Sequence, residues 1–169
     1  VEIHGAGSST VTVKGQGVYH GCTHRCIGDR IAAATYLCAA AAAGGCVTLE
    51  GVDYRHLATV TTALHQAGCR LQCRPESITL ESDGQLRAVS PVRTSPYPGF
   101  PTDAQALLMA ALLRSEGAPM FVENMFDSRY RHVPELLRMG ADIRPEGRVA
   151  VVWGVPALHG AAVQATDLR

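Results

Sequence analysis

Asp103 stands at the end of an unusually stiff stretch. In SPYPGFPTDAQA, Ser95 to Ala106, three prolines and a glycine precede one carboxylate, and helix-forming residues follow it. Each proline fixes its own φ and restricts the residue before it. A backbone so constrained suits a general base, which needs correct placement before it needs a tuned proton affinity. A plainer role is also open to Asp103, because an acid in the first turn of a helix stabilises that helix by roughly 0.3–1 kcal/mol. Arg129, in FDSRYRH beside Arg131 and His132, lies just ahead of a predicted helix. It reads either as a solvated helix start or as a guanidinium placed with free helix N–H groups for a phosphate or carboxylate. Asp167 and Arg169 in ATDLR pose the same choice: a cap and a surface charge, or an acid and a base facing the cleft of Asp103.

A different chemistry is suggested by YHGCTHRCIG, where His20, Cys22, His24 and Cys26 alternate along one face of a predicted strand. All four are zinc-type ligands. Residues two apart on a strand lie roughly 6.6 Å from each other, so one tetrahedral ion does not reach all four, and ordinary packing is the expectation. The segments GAG, GQG and GG match neither GxGxxG nor GxxxxGK[ST], which leaves a nucleotide-binding loop without support.

The elements that must position these residues follow from periodicity and punctuation. A strand is expected near Val11–Val13, then a helix from about Asp29 to Ala43 closed by Gly44-Gly45, a strand at Cys46–Glu50 and a helix near His56–Ala67 ended by Gly68. Strands at Arg70–Cys73, Ser77–Glu81 and Leu86–Val89 complete a first unit. The second half repeats the order. A helix from Asp103 to about Ser115 leads to a strand at Met120–Asn124, a helix around Tyr130–Met139 and strands at Ala141–Ile143 and Val149–Trp153. Gly68 and Gly140 are 72 residues apart and Asp29 and Asp103 are 74 apart, so one supersecondary unit is used twice, over about 15–90 and 91–160. A third copy is expected to start near residue 161, because Thr166-Asp167 matches the helix starts at Gly28-Asp29 and Thr102-Asp103. The expectation is therefore a partial domain of a larger protein.

Composition limits what this α/β unit can be. A chain of 169 residues buries roughly 70% of its unfolded surface, enough for a core without staples. Hydrophobic residues form 47% and aromatics only 5%, so that core must be mostly Ala, Val and Leu. Fifteen basic and fifteen acidic residues leave no net pull on nucleic acid or an anionic membrane. The longest apolar run, Ile31 to Ala43, is too short to span a bilayer, which needs roughly 20 residues, and reads as a buried helix. Six cysteines in so apolar a chain are expected to be reduced thiols of a cytoplasmic protein.

Four stretches, DRIAAATYLCAAA, RTSPYPGFPTDAQA, FDSRYRHVPELLRMGA and GVPALHGAAVQATDLR, resemble the UDP-N-acetylglucosamine enolpyruvyl transferases (1-carboxyvinyltransferases) of bacterial cell-wall synthesis, in that family's order. The resemblance implies an inside-out α/β barrel built from βαβαββ units around a pseudo-threefold axis, two of them complete here and a third truncated. It implies a second, similar domain as the partner of this one. The implied reaction joins phosphoenolpyruvate to the 3′-hydroxyl of UDP-N-acetylglucosamine with loss of phosphate, without a metal or other cofactor. On this resemblance Asp103 is the acid that contacts and deprotonates the hydroxyl, with Asp167 and Arg169 as the cleft-facing pair. Asn124, Met125, Arg129 and Arg30 fall among the substrate-binding positions, Met125 through its backbone. The sequence also departs from the family pattern: Ala32 and Ala34 replace the acid and glycine of DRIEAGT, and DSRY stands for ExRF. The alternatives are the shikimate-pathway enolpyruvyl transferase, a diverged non-catalytic homologue that binds a nucleotide sugar or a protein partner, and a metal-binding module around His20 to Cys26.

Overall fold

A computed structural model describes residues 1–15 and 17–165. Asp167 and Arg169, with the Thr166-Asp167 helix start, lie outside the described residues. The chain opens with a two-stranded antiparallel hairpin, β1 (Glu2–His4) and β2 (Thr12–Lys14). The first half then runs α1 (Arg30–Ala43), β3 (Gly45–Glu50), a 3-10 turn (Tyr54–Leu57), α2 (Ala58–Gln66), β4 (Arg70–Arg74) and β5 (Ser77–Ser82). The second half runs β6 (Val92–Arg93), α3 (Thr102–Ala111) with a 3-10 extension (Leu112–Arg114), β7 (Met120–Val122), α4 (Val133–Arg138), β8 (Asp142–Glu146) and β9 (Val149–Trp153).

The two sheets share a plan. In the first, β5 sits between β3 and β4, and in the second β9 sits between β7 and β8, with all these pairs antiparallel. The last strand of each unit is thus the central one. Its inward positions carry the burial, Ile78 and Leu80 in β5 and Ala150 and Val152 in β9, as the two-residue period of a half-buried strand requires. The second sheet adds β6, parallel to β7 and joined to it through α3. The first sheet has no such strand among the described residues. The strand expected near Val11–Val13 is β2, and its partner is β1.

Alanine decides how the helices meet. In α1, Ala33, Ala34, Leu37, Cys38 and Ala41 are buried, and in α3, Ala104, Leu108, Met109 and Ala111 are buried. Small side chains let these two helices pack closely, and one continuous apolar cluster joins the two halves. Asp29 caps α1, its Oδ1 accepting from the amides of Ile31 (2.8 Å) and Ala32 (3.1 Å). Gly44, at φ 77°, ends the helix in a conformation open to glycine.

Three expectations are corrected. Leu86–Val89 is no strand: Leu86 and Val89 are buried, but the segment makes an isolated bridge at Glu116, through Ala88 N to Glu116 O (2.6 Å) and Glu116 N to Leu86 O (2.8 Å), and a further bond from Arg87 N to Ala67 O (3.0 Å). Residues 130–132 precede α4 as turn, since Pro134 in the first helical turn fixes where regular helix begins. The stretch from His20 to Cys26 forms no strand and is exposed, so its four side chains share no sheet face. No group of three or more His, Cys, Asp or Glu suited to a metal ion occurs among the described residues.

Candidate active site at the start of α3

Asp29 and Asp103 occupy different places in their helices. Asp29 precedes α1 and caps it, whereas α3 begins one residue before Asp103, with Pro101 in the cap position and no side-chain cap. The Asp103 carboxylate is therefore released from capping. Its Oδ1 accepts from Nη2 of Arg129, whose side chain is 2% exposed while that of Asp103 is 38% exposed. A buried cation thus holds an acid whose other side faces solvent.

The loop before Asp103 owes its shape to several contacts. Ser95 N donates to Phe100 O (3.1 Å) and Gly99 N to Pro96 O (2.8 Å), around a cis Tyr97-Pro98 bond. A Cβ on Gly99 would lie 1.8 Å from Ser95 Oγ and 3.0 Å from the Pro96 carbonyl, so only glycine fits between them. Phe100 is buried and anchors the loop to the core.

Beneath the loop lies an acid that sequence inspection passes over. Glu123 is 1% exposed and follows β7. Its Oε1 accepts from Thr94 Oγ1 (2.8 Å), Met125 N (2.8 Å) and Phe126 N (3.2 Å), and its Oε2 accepts from Thr102 Oγ1 (2.9 Å). Thr94 in turn accepts from Asn124 N (2.8 Å) and its carbonyl from Asn124 Nδ2 (3.2 Å). Arg148 reaches the Glu123 carbonyl (3.3 Å) and Asp127 (2.5 Å). The only sequence signal was an acid at the end of the apolar run MFV.

The turn that follows presents Arg129. Ser128 adopts φ 57°, in the left-handed region where few non-glycine residues sit. The Arg129 guanidinium carbon lies 5.0 Å from the Phe126 ring centre, a cation–π distance. Behind it, the Tyr130 hydroxyl is 3.1 Å from the carbonyls of Phe121 and Arg148, and burial, reinforced by the charge of Glu123, pushes its phenol up to about 12. Burial and then the nearby Arg129 charge lower the His132 imidazole below its ordinary value.

Asp103, Arg129, Asn124 and Met125 are thus gathered around one end of α3. Met125 is 39% exposed, but its N–H is committed to Glu123, so any backbone contact it makes with a ligand goes through its carbonyl. Arg30 lies elsewhere: its guanidinium carbon is 5.4 Å from the centre of the Tyr97 ring, beside His56, in a recess of about 300 Å³ that also includes Ile27 and Gly28. Tyr97 connects this recess to the loop that carries Asp103. Larger recesses of about 410 and 430 Å³, near Thr59 and Arg93 and near Arg87 and Arg114, do not include Asp103 or Arg129 in their walls.

Two relatives carry one name. The chain is 45% identical over 168 residues to the UDP-N-acetylglucosamine 1-carboxyvinyltransferase of Zymomonas mobilis and 46% identical over 168 residues to that of Novosphingobium aromaticivorans. In each case 99% of this chain and 39% of the relative is covered, so the chain spans about two fifths of their length. Among solved structures, the enolpyruvyl transferase NikO from Streptomyces tendae superposes with a TM-score of 0.67 at 24% identity, over 78% of this chain and 31% of that one. An EPSP synthase from Acinetobacter baumannii gives 0.58 at 16% identity, over 78% and 30%. At those identities the two structures speak to the mixed α/β fold alone. The family model for EPSP synthase (3-phosphoshikimate 1-carboxyvinyltransferase) matches residues 1–169, and the chain belongs to that enolpyruvyl transferase family.

Proposed function

We propose that this chain is part of one domain of a UDP-N-acetylglucosamine 1-carboxyvinyltransferase of the bacterial cytoplasm. The observation that carries the proposal is the Asp103–Arg129 pair at the end of a rigid loop, in a chain 45–46% identical to enzymes of that name. The repeated sheet plan supports an inside-out barrel of βαβαββ units, completed by a third unit and faced by a second domain. No helix among the described residues is long and apolar enough to cross a membrane.

In the proposed reaction the 3′-oxygen of UDP-N-acetylglucosamine bonds to C2 of phosphoenolpyruvate while C3 takes up a proton and the C2=C3 double bond becomes single, and the hydroxyl proton passes to a carboxylate. Elimination then removes a proton from C3, restores the double bond and breaks the C2–O bond to the departing phosphate. Asp103 is the residue assigned to the hydroxyl proton. Its Oδ1 is held by Arg129 and its side chain is 38% exposed, so Oδ2 is the oxygen assigned to the substrate. The first helical turn and the guanidinium hold the carboxylate in place, so Asp103 contributes mainly by position. Asn124 and the Met125 carbonyl border the same space and are assigned to the sugar. Arg129 and Arg30 offer positive charge for phosphate or carboxylate, and Asp167 and Arg169 are assigned to the same cleft, with charge stabilisation as their role. The reaction calls on no metal or other cofactor.

The test is phosphate release by the full-length protein given phosphoenolpyruvate and either UDP-N-acetylglucosamine or shikimate 3-phosphate. Release with the nucleotide sugar alone is expected. Release with shikimate 3-phosphate alone would assign the chain to the shikimate enzyme, and binding of the nucleotide sugar without release would make it a non-catalytic homologue.

A further inference from the structure

The geometry points to Glu123 as a positioning residue that braces Asp103 and the Met125–Phe126 backbone against each other, an inference that rests on the function proposed above. Four donors converge on this one buried carboxylate, from Thr94, Thr102, Met125 and Phe126. Thr102 is the residue next to Asp103. Phe126 underlies the Arg129 guanidinium that holds Asp103, and Met125 carries the carbonyl assigned to the sugar. Glu123 therefore grips the Asp103–Arg129 pair from both ends, through Oε2 on the helix side and Oε1 on the turn side. Thr94 and Thr102 lie 29 and 21 residues from Glu123 in sequence, and backbone bonding at this corner, Thr94 N to Val122 O (3.0 Å) and Ser95 N to Phe100 O (3.1 Å), does not extend to Thr102 or to the Met125 and Phe126 amides, which Glu123 takes up.

The chemistry of bracing separates this role from an electrostatic one. A glutamine at this position keeps the length and one acceptor oxygen for Thr94, Met125 and Phe126, and its NH₂ can donate to Thr102, whose hydroxyl turns from donor to acceptor. An aspartate keeps the charge but is one methylene shorter, and loses the reach needed to hold Thr102 and the two amides together. If bracing is what Glu123 supplies, the neutral isostere works and the charged homologue fails.

The experiment uses the full-length protein as wild type, Glu123→Gln, Glu123→Asp and Thr102→Val, with kcat and KM expressed per folded molecule from a parallel melting curve. Glu123→Gln is expected to retain most of the wild-type kcat. Glu123→Asp is expected to lose kcat on the order of a hundredfold, the consequence of misplacing a reacting group by about 1 Å. Thr102→Val, which releases only the helix side, is expected to lower kcat while leaving KM for UDP-N-acetylglucosamine near wild type. An active Glu123→Asp beside an inactive Glu123→Gln would overturn the inference in favour of a charge role. Variants that lose only folded protein, with kcat per folded molecule unchanged, would reduce Glu123 to structure and overturn it too. Amide exchange at Met125 and Phe126 and exchange of the Arg129 guanidinium give a readout that needs no turnover. Slow exchange in wild type and Glu123→Gln with fast exchange in Glu123→Asp supports bracing, and unchanged exchange in Glu123→Asp contradicts it. A wild type that releases no phosphate while showing this exchange pattern would sink the proposed function and leave the bracing standing.

Discussion

The guanidinium of Arg129 is buried and the carboxylate of Asp103 it holds is open to solvent on one side. This asymmetry fixes which partner the fold depends on. Removing Arg129 by Arg129→Ala takes away the cation, its stacking on Phe126 and the packing of a buried side chain together, and the expected loss in urea unfolding is about 2–5 kcal/mol, as for other large side chains truncated at buried positions. Asp103→Asn keeps shape and hydrogen bonding at an accessible position, and its expected loss is roughly 1 kcal/mol. Equal losses would mean that the pair is merely a surface contact.

Gly99 is a second point at which loop geometry can be tested. Gly99→Ala forces a Cβ against Ser95 Oγ and the Pro96 carbonyl, and overpacking of this kind costs about 1–3 kcal/mol. Adding Ser95→Gly removes the nearer obstacle, so the double variant should recover part of that stability in thermal unfolding. Full stability in the single variant would show that the PYPGFP loop is less constrained than described.

Acid should weaken the fold through His132. Its pKa is lowered in the folded chain, by burial first and Arg129 second, so the unfolded chain takes up a proton at a pH where the folded one does not. Stability contributed by the neutral imidazole is therefore present above the ordinary histidine value of 6.5 and is lost as pH falls below it. Unfolding curves between about pH 7.5 and pH 5.5 should show a shallower acid loss in His132→Leu than in wild type. Parallel curves would remove His132 from the pH dependence.

The repeat was legible in the sequence because glycines and apolar periodicity are local signals. Helix ends at Gly44 and Gly68 and the alternation in Ser77–Ser82 and Val149–Trp153 depend on neighbours a few residues away. What local signals could not reveal is that Asp29 and Asp103, matched in spacing, serve different ends. The difference is an offset of two positions in where each helix starts relative to its acid, set by Pro101 and Thr102 on one side and by Asp29's own capping bonds on the other. Glu123 escaped for a related reason. Its side-chain partners Thr94 and Thr102 are 29 and 21 residues distant, and only tertiary structure brings them to one carboxylate. Leu86–Val89 misled because it carries two buried apolar residues, Leu86 and Val89, and only an isolated bridge at Arg87 in place of a strand partner.

Thiol reactivity offers a test of the packing. Cys22, Cys26, Cys46 and Cys73 are exposed, whereas Cys38 and Cys69 are buried, and burial together with Cys69 raises the Cys38 thiol to about 12. A thiolate-selective reagent should label the four exposed cysteines quickly and the other two only on unfolding. Rapid labelling of Cys38 in the native protein would contradict the α1–α3 packing.

The central claim is that Asp103 takes the hydroxyl proton while Arg129 holds it in place. It is tested most directly by phosphate release from phosphoenolpyruvate and UDP-N-acetylglucosamine in the full-length protein, comparing wild type with Asp103→Asn. The account predicts a loss in kcat of about a hundredfold or more, equivalent to roughly 2.7 kcal/mol of transition-state stabilisation, with the fold intact. Turnover near the wild-type rate in a folded Asp103→Asn protein would contradict it, and would return Asp103 to the plain role of an acid in the first turn of α3.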